Sequence, residues 1–498
     1  MADPAFAADM VAYLNEAWTC FHAVEAGKAL LFEHGFVELD EAESWGSLEK
    51  NGKYFFTRNM SSLVAFTVGG AADPGCGVTL VGAHTDSPCP KLKPVSRCTR
   101  GACSMVGVCG YGGGQWHTWF DRDLTVAGRV LIRGADGGLV HRLVKIARPI
   151  LRTSTLAIHL SKGNERSAFE PNLQAHFYPI LATAIKEAAL LKAKGGAGAG
   201  GKSKPSHSPL LLGLLADELG CAETDILDFD LQLCDTQPSA IGGAANEFIF
   251  SGRLDNLCSS YQGLRALVDT LDSLGTDKGV RLVALFDHEE VGSSSSTGAG
   301  GPILPNSIAR ITQGMYGDSP LCADVLPRVY RKSFCVSADM AHAQHPNYPE
   351  RHDPNLNPSI HSGVVIKHNA NQRYATSAVT ATLFRECCAK GGVPVQEFAV
   401  RSDSGCGSTI GPITASLTGI RTVDIGSPQL SMHSIREIMG TDDAYYGYAA
   451  IKACFENFNE IDEGLTVDAG RGLTVDAGPA PSSERKRARG EPEAMGYG

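Results

Sequence analysis

From Asp9 to Phe36 apolar residues recur at helical spacing: Met10, Tyr13, Leu14, Trp18, Phe21, Val24, Leu31 and Phe32. This spacing predicts one long amphipathic helix or two shorter ones, with Gly35 as a stop. Further on, short and nearly continuous apolar runs each end in polar or acidic residues: Val78–Ala83, Val280–Phe286, Phe334–Ala338, Phe398–Val400 and Ile420–Ile425. Such runs read as strands buried on both faces. Helical stretches at Leu254–Leu274, Gln372–Ala389 and Ala444–Phe458 alternate with them. The expected fold class is α/β, a mixed sheet covered by helices on both faces.

Between Pro94 and Ile241 the texture changes. Short β-like runs (Gly101–Tyr111, Leu124–Arg133, Gly138–Ile146) are separated by glycine clusters, with one helix expected from Ala175 to Lys192. This predicts a β-rich domain, residues 94–241, inserted into a discontinuous main domain formed by residues 1–93 and 242–462. Within the insert, the Gly/Ala/Lys-rich stretch at 193–208 cannot bury apolar surface and is expected to be a mobile loop. The heptapeptide Gly-Leu-Thr-Val-Asp-Ala-Gly occurs at Gly464–Gly470 and again at Gly472–Gly478, and two copies do not make a solenoid. Residues 463–498 read as a disordered tail, whose run Arg485-Lys-Arg-Ala-Arg489 is either a nuclear address or a solvated charge run.

Composition narrows the class. The 498 residues are 43% hydrophobic and 20% charged, with 44 Lys plus Arg against 54 Asp plus Glu and a net charge of −10. That excludes a fibrous or wholly disordered chain and gives no attraction to phosphate backbones, so no nucleic-acid partner is expected. Apolar stretches such as Leu210–Ala216 fall short of the roughly 18 residues a membrane span needs. The 15 cysteines are scattered without a CxxC pair, and Met1-Ala-Asp-Pro opens no basic segment followed by an apolar run. Reduced thiols and a cytoplasmic location are expected.

The chemistry sits where strands end. His84 follows a buried strand, and Asp86 two residues on can accept its other ring N–H; the same pair could be purely structural. Asp255, in Arg253-Leu-Asp-Asn256, precedes a helix, where an aspartate can also be an N-cap. Glu289 and Glu290 emerge from Val280–Phe286 and should point in different directions, one to a metal and one to a water. An exposed acidic turn is the plainer alternative. His288 makes no HExxH helix, because Gly292 stands where the second histidine would be. Asp339 follows Phe334–Ala338, with His342 and His345 beyond it, and His433 follows Ile420–Ile425 and is expected to open a helix at Ser434.

His84, Asp255, Glu290, Asp339 and His433 together give two histidines and three carboxylates without a cysteine. If one carboxylate bridges, this set holds two ions with open positions, a co-catalytic and not a structural zinc arrangement; Zn²⁺ fits, and Mn²⁺ or Co²⁺ also suit such ligands. Competing templates fail. There is no GxSxG elbow, and Gly196–Ser203 matches the phosphate-loop pattern in letters but follows a helix, lies in low-complexity sequence and runs into Pro205.

The chain resembles the aspartyl aminopeptidase family from about Ala17 to Phe458. The resemblance rests on Gly82-Ala-His-Thr-Asp-Ser-Pro, Tyr111-Gly-Gly-Gly, Thr118-Trp-Phe-Asp-Arg-Asp, Leu156-Ala-Ile-His-Leu, Gly252-Arg-Leu-Asp-Asn, Asp287-His-Glu-Glu-Val-Gly, Ser337-Ala-Asp-Met-Ala-His-Ala, His345-Pro-Asn-Tyr and Gly426-Ser-Pro-Gln-Leu-Ser-Met-His-Ser-Ile-Arg-Glu. It implies a metallo-aminopeptidase that removes N-terminal Asp or Glu with two zinc ions per subunit. Asp255 would bridge them, with His84 and Asp339 on one ion and Glu290 and His433 on the other. Glu289 would be the base that activates the water shared by the ions, and Asp86 the acid that orients His84. Lys367 and Tyr374 would receive the acidic side chain of the substrate; spacing alone would make Lys367 a surface lysine. His159 would reach a neighbouring subunit's site from a dimerisation domain, with dimers assembled into a tetrahedral dodecamer. His342 and His345 would line the substrate site or only support Asp339. A carboxypeptidase or deacylase on the same two-metal core, or a non-catalytic peptide-binding assembly protein, are the rival readings.

Overall fold

The computed structural model describes residues 3–193 and 206–467. Most of the expected loop at 193–208 and of the tail at 463–498, with the second heptapeptide and the basic run, lies outside the described residues. The first periodic segment forms two helices, Pro4–Glu16 and Cys20–Glu33. Thr19 separates them: its hydroxyl accepts the His22 N–H and so caps the second.

A nine-stranded sheet forms the centre. Its strands lie in the order Val37–Glu38, Lys53–Arg58, Ser62–Val68, Val280–Phe286, Val78–His84, Phe334–Ala338, Arg421–Gly426, Val364–His368, Val395–Ala399. The middle four are mutually parallel, while Ser62–Val68 and Val364–His368 flank them antiparallel, so the sheet is mixed. Alternate side chains of these strands enter two different cores. Leu63, Val81, Val283, Val336 and Val423 pack with helices Pro4–Glu16, Leu254–Val268, Ala378–Gly391 and Thr441–Glu463. Val64, Leu80, Leu282 and Cys335 pack on the other face with Ile303–Tyr316, Val325–Lys332 and Ile410–Thr418. Burial on both faces is why these runs lack polar alternation.

A six-stranded antiparallel sheet has a core of its own around Trp119, Val126, Val130, Phe177 and Leu215. Its strands are Leu139–Lys145, Leu124–Arg133, Ile226–Asp235, Cys89–Arg100, Cys103–Tyr111 and Ile180–Thr183, in spatial order. The sheet begins at Cys89, ahead of Pro94. One expected helix is corrected here. Within Ala175–Lys192 the chain makes a short helix to His176, the strand Ile180–Thr183 and a helix from Ala184 to Ala193. Pairing of Ile180–Thr183 with Cys103–Met105 outweighs the local helical pattern. A third sheet joins Ala240–Gly242, Phe248–Ser251, Glu437–Gly440, Pro428–Leu430 and Ala341–His342. No helix among the described residues is long and apolar enough to cross a membrane.

Candidate metal centre

The four parallel strands end side by side, and their carboxyl ends deliver the chemistry, as open α/β sheets do. His84 is the last residue of its strand and pairs in register with Phe286. Three residues beyond Phe286 a short turn carries Glu289 and Glu290. Asp339 follows Phe334–Ala338 directly. Asp255 lies in the first turn of helix Leu254–Val268, and its side chain does not act as a helix cap there. His433 stands in a tight turn with positive φ at Ser431 and His433. No helix opens at Ser434: the chain turns and enters the strand Glu437–Gly440. The Glu437 carboxylate accepts the His433 N–H at 2.8 Å and the Asp255 N–H at 3.1 Å, which ties the turn to the helix start.

These placements bring ligand atoms of His84, Asp255 and Asp339 within 4.8 Å of one another, and those of Asp255, Glu290 and His433 likewise. Asp255 belongs to both groups. Its Oδ1 is 3.3 Å from His84 Nε2 and its Oδ2 is 3.2 Å from His433 Nε2. Asp339 Oδ1 is 3.5 Å from His84 Nε2, and Glu290 Oε2 is 3.5 Å from His433 Nε2. Each histidine turns its Nδ1 outward to a carbonyl, His84 to Asp86 O at 3.0 Å and His433 to Gly113 O at 2.9 Å. With Nδ1 so engaged, it is Nε2 of each ring that faces Asp255.

Two features show that the cluster fits cations. Asp255 Oδ1 and Glu290 Oε1 are buried and accept no hydrogen bond, a costly state for an oxygen that meets no positive charge. Proton affinities also register a surplus of negative charge. Burial, opposed by His84 and reinforced by Asp339 and Asp255, pushes Glu289 up to about 8. Burial and then Asp255 hold Glu290 well above the carboxyl range. Burial opposes charge on His433, yet Asp255 and Glu290 push its ring up to about 10. Nitrogen and carboxylate donors in two groups with a shared member suit zinc or a similar divalent ion.

The neighbouring glutamates diverge: Glu290 faces His433, while Glu289 Oε2 is 3.9 Å from His84 Nε2. Asp86 accepts the backbone N–H groups of both, Glu289 on Oδ1 and Glu290 on Oδ2, each at 3.1 Å. Lys367 is buried, with Nζ 3.8 Å from Asp339 Oδ2 and 5.3 Å from the Tyr374 ring centroid. Its ammonium donates one hydrogen bond among the described residues, to Met340 O at 2.8 Å. His342 packs its ring against Phe398, and the His345 ring accepts the Asn347 N–H in an outer turn. His159 is not brought to this cluster. It sits on an exposed turn between Ile158 and Leu160, which are 59% and 64% exposed. Glu437 and Tyr111, whose hydroxyl reaches Asp86, join the site without a sequence signal beyond their positions four residues after His433 and at the start of a glycine-rich turn.

The sequence pattern of the family described as aminopeptidase I zinc metalloprotease (M18) matches residues 13–455. A protein of Ricinus communis described as "Probable aspartyl aminopeptidase" is 52% identical over 481 residues, covering 92% of this chain and 97% of its own. The aspartyl aminopeptidase of Dictyostelium discoideum is 45% identical over 471 residues, again 92% of this chain and 97% of its own. Among solved structures, the mApe1 dodecamer of Saccharomyces cerevisiae superposes with a TM-score of 0.80 at 29% identity, covering 93% of this chain and 99% of that one.

Proposed function

This chain belongs to the M18 family of zinc metalloproteases and is a metallo-aminopeptidase, and from that premise we propose that it releases N-terminal Asp or Glu from peptides at the Asp255-centred cluster. The observation that carries the reading is the pair of ligand groups that share Asp255; Glu289 lies outside these two, although its carboxylate also comes within 4.8 Å of the ligand atoms of His84 and Glu290. His84 and Asp339 would hold one zinc ion, Glu290 and His433 the other, and Asp255 both. Metal bound there supplies polarisation of the scissile carbonyl and a more acidic water. Glu289, beside the groups that share Asp255 and with its Oε2 3.9 Å from His84 Nε2, takes a proton from the attacking water and delivers it to the leaving amine nitrogen. Asp86 holds the Glu289 backbone and faces the His84 ring, so it orients base and ligand together.

Acidic specificity is supported by Lys367. Its buried ammonium has hydrogen-bond capacity left beyond Met340 O, and a substrate carboxylate would use it. Tyr374 forms a wall beside it, with His342 nearer the rim. The relatives named aspartyl aminopeptidase support the same substrate class. The dodecameric neighbour supports a homo-oligomer, and the exposed segment Leu156–Leu160 gives His159 a surface from which to enter an adjacent copy's site. On this reading residues 94–241 serve dimerisation, and the dimers build a tetrahedral dodecamer. The free cysteines support a reducing, cytoplasmic setting.

The test is zinc content together with release of the first residue from peptides that begin with Asp, Leu or N-acetyl-Asp, measured before chelation, after it and after zinc return. Zinc-dependent release from the Asp peptide, with little from Leu and none from N-acetyl-Asp, is expected. Turnover of the N-acetyl peptide at a comparable rate would instead identify a deacylase or carboxypeptidase.

A further inference from the structure

The segment Tyr111–Gln115 leaves the end of the strand Cys103–Tyr111, in the six-stranded sheet, and passes over the Glu290 and His433 half of the cluster. Gly112, Gly113 and Gln115 touch that half directly, and Tyr111 touches Asp86 beside it. The Tyr111 hydroxyl donates to Asp86 Oδ2 at 2.6 Å, the same oxygen that accepts the Glu290 N–H. Gly112 has φ +74, and a Cβ built on it would stand 3.1 Å from the Glu290 Cβ. The Gly113 carbonyl accepts from His433 Nδ1 at 2.9 Å. The Gln115 backbone N–H donates to His433 O at 2.9 Å, and its amide side chain donates to Met432 O at 2.8 Å. His433 is therefore held on both its ring and its backbone by residues of the other sheet. By contrast, His84 and Asp339 are fixed by the central sheet, through their own strands and the Asp339 N–H bond to Ile425 O at 3.0 Å.

The Tyr111 ring is itself anchored. Lys91 Nζ, from the neighbouring strand Cys89–Arg100, stands 3.6 Å from its centroid. A cation over the ring face fixes the plane of the phenol, and the hydroxyl is thereby aimed at Asp86. Asp86 in turn gathers the two glutamate amides, so a displaced phenol is felt at both Glu289 and Glu290.

We infer that Tyr111 and the Gly112-Gly113 turn are positioning residues by which the six-stranded sheet assembles the Glu290–His433 half of the metal centre and aims the Glu289 turn. The inference rests on the two-ion reading given above. Gly112 and Gly113 touch only Glu290 and His433, so damage to the glycine turn is expected to weaken one ion and spare the other, whereas Tyr111 works through Asp86, which also faces His84 at 3.4 Å, so loss of the phenol reaches both.

Three variants test it in the full-length, zinc-loaded protein: Tyr111→Phe, Gly112→Ala and, as a control for backbone strain, Gly137→Ala, whose φ is +82 and whose Cβ would meet nothing within 4 Å. The readouts are zinc dissociation constants from chelator competition, zinc per chain, and kcat and KM on an Asp peptide. Tyr111→Phe is expected to lower kcat about tenfold with KM within twofold, and to weaken zinc binding about tenfold without confining the loss to one ion. Gly112→Ala is expected to retain one zinc per chain after a chelator wash that leaves wild type and Gly137→Ala with two. Variants at Tyr111 and Gly112 that keep wild-type zinc affinities and kcat would overturn the inference, as would Gly137→Ala losing zinc to the same extent as Gly112→Ala. A wild-type protein that takes up no zinc overturns the two-ion reading itself, so the two failures are distinct.

Discussion

Glu289 also lies within 4.8 Å of the ligand atoms of His84 and Glu290 but belongs to neither group that shares Asp255, so on the proposed assignment its removal should separate chemistry from metal binding. Glu289→Gln is expected to lower kcat by about 10² to 10⁴, while zinc content by elemental analysis stays at the wild-type level. Lys367→Met should act on choice of substrate instead. With the ammonium gone, the ratio of kcat/KM for Asp over Leu peptides is expected to fall by roughly 10- to 100-fold, the worth of a charged hydrogen bond. Away from the site, His22 carries a pH dependence. Burial, then Lys145 and Arg253, holds its ring at about 4 against an ordinary 6.5. Between those values the unfolded chain takes up a proton that the folded chain refuses, so the contribution is whole above pH 6.5 and is lost as pH falls towards 4. Denaturant titration should therefore show the stability advantage of wild type over His22→Asn shrinking by up to about 3 kcal/mol between pH 7 and pH 4.

At the scale of elements, the strand ends are packed without slack. A Cβ on Gly426 would fall 1.9 Å from the Asp339 carbonyl oxygen, so the end of Arg421–Gly426 can lie against Asp339 only as glycine. Gly426→Ala is expected to cost about 1–3 kcal/mol or more and to displace Asp339, with a lower Tm in calorimetry and less zinc retained after dialysis. This packing also separates what was legible in the sequence from what was not. Val78–His84, Val280–Phe286 and Phe334–Ala338 were readable because burial on two faces leaves an unbroken apolar run, and the acids and histidines that close such runs were conspicuous. Ile180–Thr183 was not, because its strand character comes from the partner Cys103–Met105 and not from its own residues. A helix is the local expectation after His433, and the contacts that bend the turn instead, Glu437 accepting the Asp255 N–H and Gln115 donating to His433 O, come from distant parts of the chain. Tyr111 and Gly113 could be quoted as a motif, yet their contacts with Asp86 and His433 are tertiary, the second across 320 residues of chain.

On the scale of the whole molecule, the ions and the fold are linked. Ions that bind the native cluster and not the unfolded chain stabilise it by an amount that grows with the logarithm of their free concentration, about 2.7 kcal/mol at one hundred times Kd. Chelation is expected to lower the Tm, and stepwise return of zinc to raise it in proportion to the logarithm of free zinc; a Tm indifferent to zinc would count against the cluster as a metal centre. The order of the ligands along the chain has a further effect. They begin at His84 and end at His433, with the six-stranded sheet threaded between, so neighbours in space are far apart in synthesis. A polypeptide still leaving the ribosome lacks His433 until its last strands emerge, although His84, Asp255, Glu290 and Asp339 are already made. Of the two groups that share Asp255, the one with Glu290 and His433 is therefore the last that a growing chain can complete.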